Sequence, residues 1–377
     1  MFKTFDKTDL SYDDVARLVH GTPDTAGSIA KLNNDTDGEI IVFSDEVLLA
    51  DGVGIRANID SKVYNSFYDC RLIRSLTGAR AAVLVFENGG FNFRHGQNAA
   101  IYNDNELFLT GNIKNIKPVL DNEHPIIQIE IKSKAGMLLD TVVPFPLEFH
   151  NVSLKKILTD VCGCFGIPVY FADDVRLDLI SKNEIDNSFA AGLTEKAWDF
   201  LVRITSARGL FIRDTGNGLY VGNLIEEQKP VFSFIEGETI GVSSWLPDFN
   251  TENLARYYEA HSQTPETTGA IAQIPFNLPI TKRIIKPDAV SGGIQNFADW
   301  CACKDIGKAF KVYLDLHERL SLIEGDYVIL KSSSCYFFEE TLMVIEDATA
   351  LHPTGMEIVL TLPCVYTGII PDWLPLC

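Results

Sequence analysis

The sequence predicts an α+β protein, mainly β, in which two similar small β-barrel domains flank an α/β insert and follow a small N-terminal module. Three observations lead to this prediction. Short runs that alternate apolar and polar residues recur before and after the middle of the chain, two helix–glycine–strand units lie in the middle itself, and the pattern changes near residue 46. We therefore divide the chain into residues 1–46, 47–146, 147–224 and 225–377.

Composition and charge limit the class of protein. The chain has 377 residues, of which 46% are hydrophobic and 22% charged, as expected for folded domains with proper cores. The net charge of −19 argues against tight binding to a nucleic-acid backbone, although simple solubility through self-repulsion also explains it. No run of about 18 apolar residues indicates a membrane span, and the start "MFKTFDKTDL" lacks an apolar signal segment. We therefore expect synthesis and folding in a cytoplasm.

The N-terminal module, residues 1–46, reads as two helices followed by a strand, with a further strand at Phe2–Phe5. Ser11 can cap the first helix with Asp14 as its capping-box partner, and Gly21 ends that helix. The second helix is "AGSIAKLNN" and the strand is "EIIVFS". A LysM-like pattern is formed by Asp13 or Asp14, Ala16, Gly21, Ile29, Leu32 and Asn33. The module therefore resembles LysM, which implies glycan binding; we favour docking inside a larger assembly.

Residues 47–146 read as strands of the first barrel. The buried apolar run "RAAVLVFE" is followed by "ELFLTGNIKNI" and "IIQIEIKSKAG". In the last of these, Ile127, Ile129 and Ile131 alternate with polar residues, which is the period of a strand with one buried face. Gly- and Asn-rich clusters separate the runs, as is typical of a small barrel or sandwich.

The insert, residues 147–224, contains the repeated unit. Ser153 caps a first amphipathic helix that Gly166 ends, and a strand follows. Thr194 is predicted to cap a second helix, Gly209 to end it, and "DTGNG" to form the turn between two further strands. Each unit has one apolar helix face and a strand to cover, so the two units should pack together as one small α/β domain.

Residues 225–377 return to strands and form the predicted second barrel. A segment from 264 to 293 carries four prolines and is predicted to be a long loop, either an arm that reaches a neighbour or a disordered insertion. A helix is predicted from Ile294 to about Lys304, followed by the strands around "FKVYLDL", "EGDYVIL", "TLMVIEDATA" and "MEIVLTL".

No catalytic, cofactor-binding or metal-binding residues are assigned, and no cofactor is expected. The sequence lacks a G-x-S-x-G elbow, an H-E-x-x-H helix and a phosphate-binding loop of the G-x4-G-K-[ST] type. Two C-x-C pairs, Cys162 with Cys164 and Cys301 with Cys303, are spaced more tightly than structural zinc sites usually are. Cys301 is placed on the apolar face of its helix and Cys303 on the opposite side, so the thiols are interpreted as buried and free. The prediction is that the chain is not an enzyme.

The order of these elements resembles the baseplate hub proteins of contractile-tailed phages, and most nearly the tail hub of Mu-like phages. The resemblance covers roughly residues 47–370 and rests on order and pattern: "SLKKILTDVCGCFGI", "KAWDFLVRITSARGLFIRDTGNGLYVG", "LARYYEAHSQ", "KRIIKPDAV", "GGIQNFADW", "EGDYVIL" and "MEIVLTL". In that family three chains form a ring that joins the sixfold tail tube to the threefold central spike.

The resemblance implies a structural virion protein of the tail baseplate, assembled in the cytoplasm of a bacterial host. The implied partners are two further copies of the chain, the spike protein, the tail tube or distal tube initiator, other baseplate proteins and the tape measure protein. The chain ends soon after "IPDWLPLC", so the spike is expected to be a separate chain. No specific nucleic-acid or membrane binding is expected. The alternative is a LysM-bearing cell-wall hydrolase or a peptidoglycan-binding protein.

Overall fold

The computed structural model describes residues 2–4, 46–48, 54–87, 91–103, 106–119, 126–172, 188–206, 208, 210–223, 229–261, 269–276, 278, 280–285, 294–352 and 355–375. These residues are mainly strand, with few helices, and the chain divides into two compact units. The first unit takes residues 1–70 and 82–131, and the second takes residues 71–81 and 132–377. Almost all of the predicted N-terminal module, including its two helices, lies outside the described residues.

The first unit is built on one main sheet. Its strands are β1 (Phe2–Thr4), β2 (Glu46–Leu48), β3 (Ile55–Ile59), β4 (Lys62–Tyr64), β6 (Ala81–Glu87), β7 (Asn98–Asn103), β8 (Glu106–Val119) and β9 (Ile126–Ser133), and the chain passes through β5 (Asp69–Ser75) between β4 and β6. The order is β4-β3-β7-β8-β9-β6, and β1 pairs separately with β2. The predicted alternation is present in β9, where Ile127, Ile129 and Ile131 are buried.

The predicted barrel closure is not found. The strand order ends at β4, so the described strands of this unit form an open sheet. Alternation of apolar and polar residues specifies which face of a strand is buried, but it does not specify whether the first and last strands meet.

The second unit begins with the α/β insert. It contains α1 (Gly136–Asp140), β10 (Glu148–His150), α2 (Leu154–Gly163), β11 (Val169–Phe171), β12 (Ser188–Ala190), α3 (Ala197–Ser206), β13 (Leu210–Asp214) and β14 (Leu219–Asn223). The predicted repeat is present: α2 leads to β11, α3 leads to β13, and β11 and β13 flank β14 in one sheet. The apolar faces of both helices share one core with this sheet.

The two predicted helix caps of the insert have different outcomes. Ser153 caps α2, because its hydroxyl oxygen accepts a hydrogen bond from the Lys156 backbone N–H at 3.3 Å. Thr194 does not cap α3, because the helix begins at Ala197 and the carbonyl of Lys196 accepts its first backbone hydrogen bond. The Glu195 N–H bonds to the Gly192 carbonyl instead, so a separate turn precedes the helix. The predicted end at Gly209 lies outside the described residues.

The rest of the second unit consists of two sheets and a long helix. Its elements are β15 (Pro230–Ile235), β16 (Val242–Phe249), β17 (Ala255–Ala260), β18 (Ala270–Gln273), β19 (Ile280–Ile285), α4 (Ile294–Ala309), β20 (Phe310–Leu316), β21 (Tyr327–Ser332), β22 (Phe337–His352), β23 (Met356–Thr361) and α5 (Cys364–Thr367). The larger sheet runs β16-β20-β23-β22, β21 also pairs with β22, and β15 adds in parallel to β21. It too is open rather than a closed barrel.

The predicted long loop at 264–293 is wrong where the structure describes it. Two strands, β18 and β19, lie in this segment and pair with opposite edges of β17. None of the four prolines, at 265, 275, 279 and 287, belongs to either strand. Counting prolines therefore predicted irregular chain where the segments between them form strands.

The helix α4 is longer than predicted; its predicted apolar residues Ile294, Phe297, Ala298 and Ala302 are buried, but its two cysteines differ from the prediction. It extends to Ala309 rather than ending near Lys304. Cys303, predicted to lie opposite the apolar face, is fully buried, whereas Cys301 is half-buried. The reason is that α4 packs on β17 and β18 and also against α5, where the Cys364 thiol approaches the Cys303 carbonyl at 3.8 Å. A helix covered from two sides buries more than one stripe.

One turn of the larger sheet is held by a carboxylate. The Glu236 side chain accepts hydrogen bonds from the hydroxyls of Ser332, Ser333 and Ser334 and from the Ser334 backbone N–H at 3.0 Å. The two Ser334 hydrogen bonds contribute most to lowering the pKa of Glu236 to about 2. The turn then enters β22 through Tyr336, which has a positive φ of 62°.

Candidate functional site

No group of three or more His, Cys, Asp or Glu side chains is placed to hold a metal ion in the part of the chain that the structure describes. No described helix has both the length and the apolar character needed to cross a bilayer. The candidate site is therefore sought among contact surfaces, and the most exposed apolar side chains of the insert form one.

Two segments of the insert run side by side and carry three exposed apolar side chains, Val142, Phe145 and Leu193, which we call the tip. Strand β10 pairs antiparallel with β12, and the same register continues outward from it. The Ala191 N–H donates to the Leu147 carbonyl at 2.8 Å, and the Val143 N–H donates to the Glu195 carbonyl at 3.2 Å. Phe145 and Leu193 lie between these two backbone hydrogen bonds, one on each segment.

The tip is far more exposed than apolar side chains usually are. Phe145 is 85% exposed and Leu193 is 81% exposed, while Val142, bridged to Lys196, is 45% exposed. By contrast, Val143 and Phe149 on the same segment are buried in the insert core. Large apolar side chains that lie together on a surface mark sites of protein contact more often than isolated ones do.

The loop that carries Leu193 is fixed by hydrogen bonds to the Glu195 carboxylate. The Gly192 N–H donates to the Glu195 carboxylate at 2.9 Å, and the Arg203 guanidinium donates to both oxygens of that carboxylate at 2.7 Å. Arg203 also donates to the Ala190 carbonyl at 3.0 Å. Burial raises the pKa of Glu195, but these hydrogen bonds and the Arg203 charge outweigh burial and lower it. A contact residue that is already ordered loses less entropy on binding.

A buried polar cluster fixes the insert within the second unit. Asp214, at the end of β13, is fully buried. Its carboxylate accepts hydrogen bonds from the backbone N–H groups of Arg80 at 2.8 Å and Gly216 at 2.7 Å, and from the Ser133 hydroxyl. Burial raises the pKa of Asp214 despite these donors, which favour its charged form.

The same cluster reaches the larger sheet of the second unit through Arg80. Its guanidinium donates to the Thr215 carbonyl at 2.9 Å and to the buried Glu324 carboxylate at 2.5 Å. Arg74 lies 3.7 Å from the other Glu324 oxygen. The Arg80 guanidinium, bonded both to the insert at Thr215 and to Glu324, defines one arrangement of the insert, since breaking a buried pair leaves an uncompensated charge.

The tip and the polar cluster were not predicted from the sequence. Phe145 lies between Pro144 and Pro146. An apolar residue between two prolines was the available sequence signal for an exposed apolar side chain at this position. Asp214 opens the turn "DTGNG", where an aspartate is ordinarily exposed. Nothing local distinguishes a buried turn aspartate from an exposed one, because the Gly216 N–H bond is available to either, and the two donors that accompany burial come from Arg80 and Ser133, 134 and 81 positions away.

The insert also matches a known family domain. Residues 135–222 match the family model described as "Baseplate hub protein gp44-like, second domain". This range contains the tip and Asp214. A comparison with curated protein sequences finds no significant match.

Solved structures of tail proteins share the fold over most of the chain. The 43 kDa tail protein of prophage MuSo2 from Shewanella oneidensis is 18% identical, with a TM-score of 0.67 over 83% of this chain and 99% of that one. The tail protein from Neisseria meningitidis MC58 is 13% identical, with a TM-score of 0.70 over 85% and 99%. Prophage tail protein gp18 from Listeria monocytogenes is 11% identical, with a TM-score of 0.57 over 82% and 94%.

The matched range 135–222 corresponds to the predicted insert together with a short stretch before it. Residues 135–222 therefore match a baseplate hub domain, and most of the chain has the fold of phage tail proteins.

Proposed function

We propose that the chain is a structural baseplate hub of a contractile phage tail and not an enzyme. The observation that carries the proposal is the match of residues 135–222 to the second domain of a baseplate hub, embedded in a fold shared with prophage tail proteins. The chain covers 99% of the length of two such tail proteins, so the likeness extends well beyond one domain. Its place is the tail baseplate of a virion, assembled in the cytoplasm of the bacterial host.

The proposed assembly is a homotrimer. A tail tube has sixfold rings and a spike has threefold symmetry, so the part between them must satisfy both. Two β-rich parts in each of three chains supply six similar positions around one axis, and closed symmetry is the usual state of soluble assemblies. The open sheets support this arrangement, because their edge strands are available to pair with a neighbouring chain.

The remaining partners follow from that position. The trimer contacts the spike protein on one side and the tail tube or distal tube initiator on the other, with further baseplate proteins around it and the tape measure protein along the axis. The net charge of −19 suits a channel through which DNA passes, because a negative wall repels the DNA backbone. Residues 1–46 are proposed as a LysM-like docking module, followed by domains 47–146, 147–224 and 225–377.

The proposal is tested by the mass and symmetry of the purified chain. Mass photometry and multi-angle light scattering should find a species of about 126 kDa, three times the chain mass of 41.9 kDa. Images of that species should show threefold symmetry, with the separately purified spike protein added in a second sample. A stable dimer or tetramer with twofold symmetry would contradict the proposal, because neither reconciles six positions with three.

A further inference from the structure

Two buried cysteines meet where α5 packs on α4. Cys303 lies on α4 and Cys364 begins α5, and both side chains belong to one hydrophobic core. They are 61 positions apart in the sequence, so it is the folded chain that brings them together. The proposed function makes no use of either thiol.

The two thiols contact each other inside this core. The Cys364 Sγ atom lies 3.8 Å from the Cys303 carbonyl oxygen and 3.9 Å from the Leu362 carbonyl oxygen. A hydrogen bond between the thiols of Cys303 and Cys364, and then burial, raise the pKa of Cys303. A disulfide requires two cysteines whose side chains converge, and these two side chains converge.

The contact between α4 and α5 is tight on either side of the two cysteines. Gly307 lies one turn after Cys303 on α4, and its carbonyl accepts a hydrogen bond from the Thr361 hydroxyl at 3.0 Å. A Cβ at position 307 would lie 2.2 Å from Val365 Cγ2, so glycine allows this close approach. Because the segments are already held together here, a bond between the cysteines needs little backbone movement.

The other cysteine of this part of α4 is poorly placed to compete. Cys301 lies two positions before Cys303, which turns its side chain to a different side of the helix. It is half-buried, and burial, followed by the Asp305 charge, raises its pKa to about 12. Cys303 and Cys364 are therefore the pair that the packing of α4 and α5 selects.

We propose that Cys303 and Cys364 are a redox pair, which forms a disulfide that fastens α5 to α4 when the folded chain meets an oxidising medium. The oxidant is a small organic disulfide of the glutathione class. Opening of α5, a helix of four residues, exposes the Cys364 thiol, which loses its proton and reacts as the thiolate.

The bond forms in two exchange steps. The Cys364 thiolate attacks one sulfur of the oxidant, which breaks the oxidant's S–S bond and releases one small thiol. The Cys303 thiolate then attacks the Cys364 sulfur of this mixed disulfide and releases the second small thiol. Two electrons pass from the cysteine pair to the oxidant, and the two cysteine protons leave with the released thiols.

The moment of oxidation rests on the proposed function. Thiols stay reduced in the cytoplasm, where the tail is assembled, whereas a released particle lies in an oxidising medium. The bond then forms after assembly. Formation of the bond itself does not depend on the mass or the symmetry of the assembly, so the two proposals fail separately.

The test maps disulfides in the full-length chain. Cys164→Ser and Cys377→Ser are introduced first, to remove the exposed Cys164 thiol and the Cys377 thiol, which lies outside the described residues; six of the eight cysteines then remain. One sample is kept folded in a millimolar mixture of oxidised and reduced glutathione, and a second is refolded from urea in the same mixture. Free thiols are blocked with N-ethylmaleimide, and the unreduced peptides are mapped by mass spectrometry. We expect the Cys303–Cys364 bond in both samples.

Substitutions confirm the pairing and measure its effect. Cys303→Ala and Cys364→Ala should each abolish the bond, whereas the matched control Cys335→Ala, which removes another buried cysteine of the same core, should keep it. Oxidation should raise the urea unfolding midpoint of the second unit by about 1 M where the bond forms, and leave it unchanged in Cys303→Ala and Cys364→Ala.

Three results would overturn the proposal. If the Cys303–Cys364 bond is absent from both samples, the two side chains do not converge as the packing of α5 on α4 requires. If the bond is found in the refolded sample alone, it closes before the core forms, and oxidation of the folded chain is wrong. If Cys303 or Cys364 bonds mainly to Cys301 or Cys335, the pairing is wrong. These maps use chains that retain both cysteines, so they decide the proposal even if an alanine variant fails to fold.

Discussion

Replacing Gly307 by alanine sets two effects of opposite sign against each other. Gly307 lies near the end of α4, and in an exposed helix interior the change from glycine to alanine stabilises by about 1 kcal/mol. Here the new Cβ would lie 2.2 Å from Val365 Cγ2 and 3.2 Å from Thr361 Oγ1. The Thr361 hydroxyl also donates to the Gly307 carbonyl at 3.0 Å, which holds the helix against this wall.

The steric effect should exceed the propensity effect. Carbon atoms are at their optimal separation near 3.5–4.0 Å, and a β-branched valine has few rotamers into which its methyl could turn. Overpacking of this kind costs about 1–3 kcal/mol, and a 2.2 Å contact belongs at the upper end of that range. Subtracting the helix-propensity gain leaves an expected net loss of about 2 kcal/mol in the free energy of unfolding.

Urea unfolding followed by tryptophan fluorescence measures this loss in the right part of the molecule. All four tryptophans, at positions 198, 245, 300 and 373, lie in the second unit, and Trp300 is on the same helix as Gly307. The matched control is Gly163→Ala at the end of α2, where the added Cβ meets no atom within 4 Å. That control should be neutral or slightly stabilising.

A double-mutant cycle identifies the contact responsible. Val365→Ala removes the clashing methyl, so Gly307→Ala should cost at least about 1 kcal/mol less in that background than in the wild type. Either of two results would refute the clash between the added Cβ and Val365. The first is a Gly307→Ala variant that is as stable as the wild type. The second is a Val365→Ala background that fails to reduce the loss in free energy of unfolding that Gly307→Ala causes.

Three further predictions concern single side chains. Because the pKa of Glu236 is lowered to about 2 from an ordinary 4.5, its stabilisation is present above pH 4.5 and is lost as the pH falls toward 2. Glu236→Gln should therefore cost about 1–2 kcal/mol at pH 7 and progressively less in urea unfolding below pH 4.5, while the exposed control Glu238→Gln should change little at any pH. Asp214→Asn should lower the free energy of unfolding of the second unit by about 2–4 kcal/mol, because an amide NH₂ would face the N–H donors of Arg80 and Gly216 that now bond a carboxylate. A loss below about 0.5 kcal/mol in urea unfolding would contradict the role of the buried cluster. In a Cys377→Ser background, Ellman's reagent should modify one thiol rapidly, because Cys164 is the exposed cysteine among those that the structure describes. Adding Cys164→Ser should abolish this fast phase. A fast phase that persists would refute the assignment.

Local pattern was sufficient for the elements that bury one face. Alternating isoleucines specified β9, and the spacing of Leu154, Ile157, Leu158 and Val161 specified α2, because the period of apolar residues reports directly on strand or helix geometry. The same pattern failed in α4, where a second contact from α5 buries Cys303. It also failed at β18 and β19, since prolines outside the strands were counted as if they interrupted them.

The sequence by itself thus determined a mainly β chain with a helix–strand repeat in its middle, because these features depend on residues within a few positions of one another. The open sheets, the approach of residues 142–147 to residues 191–196 and the burial of Asp214 were decided by the tertiary structure alone. Each depends on which distant segments meet. The Asp214 carboxylate is bonded by Arg80 and Ser133, 134 and 81 positions away, and Cys303 and Cys364 meet only after α4 and α5 have packed. A local pattern contains no information on such contacts, because the period of apolar residues reports only on neighbours within a few positions along the chain.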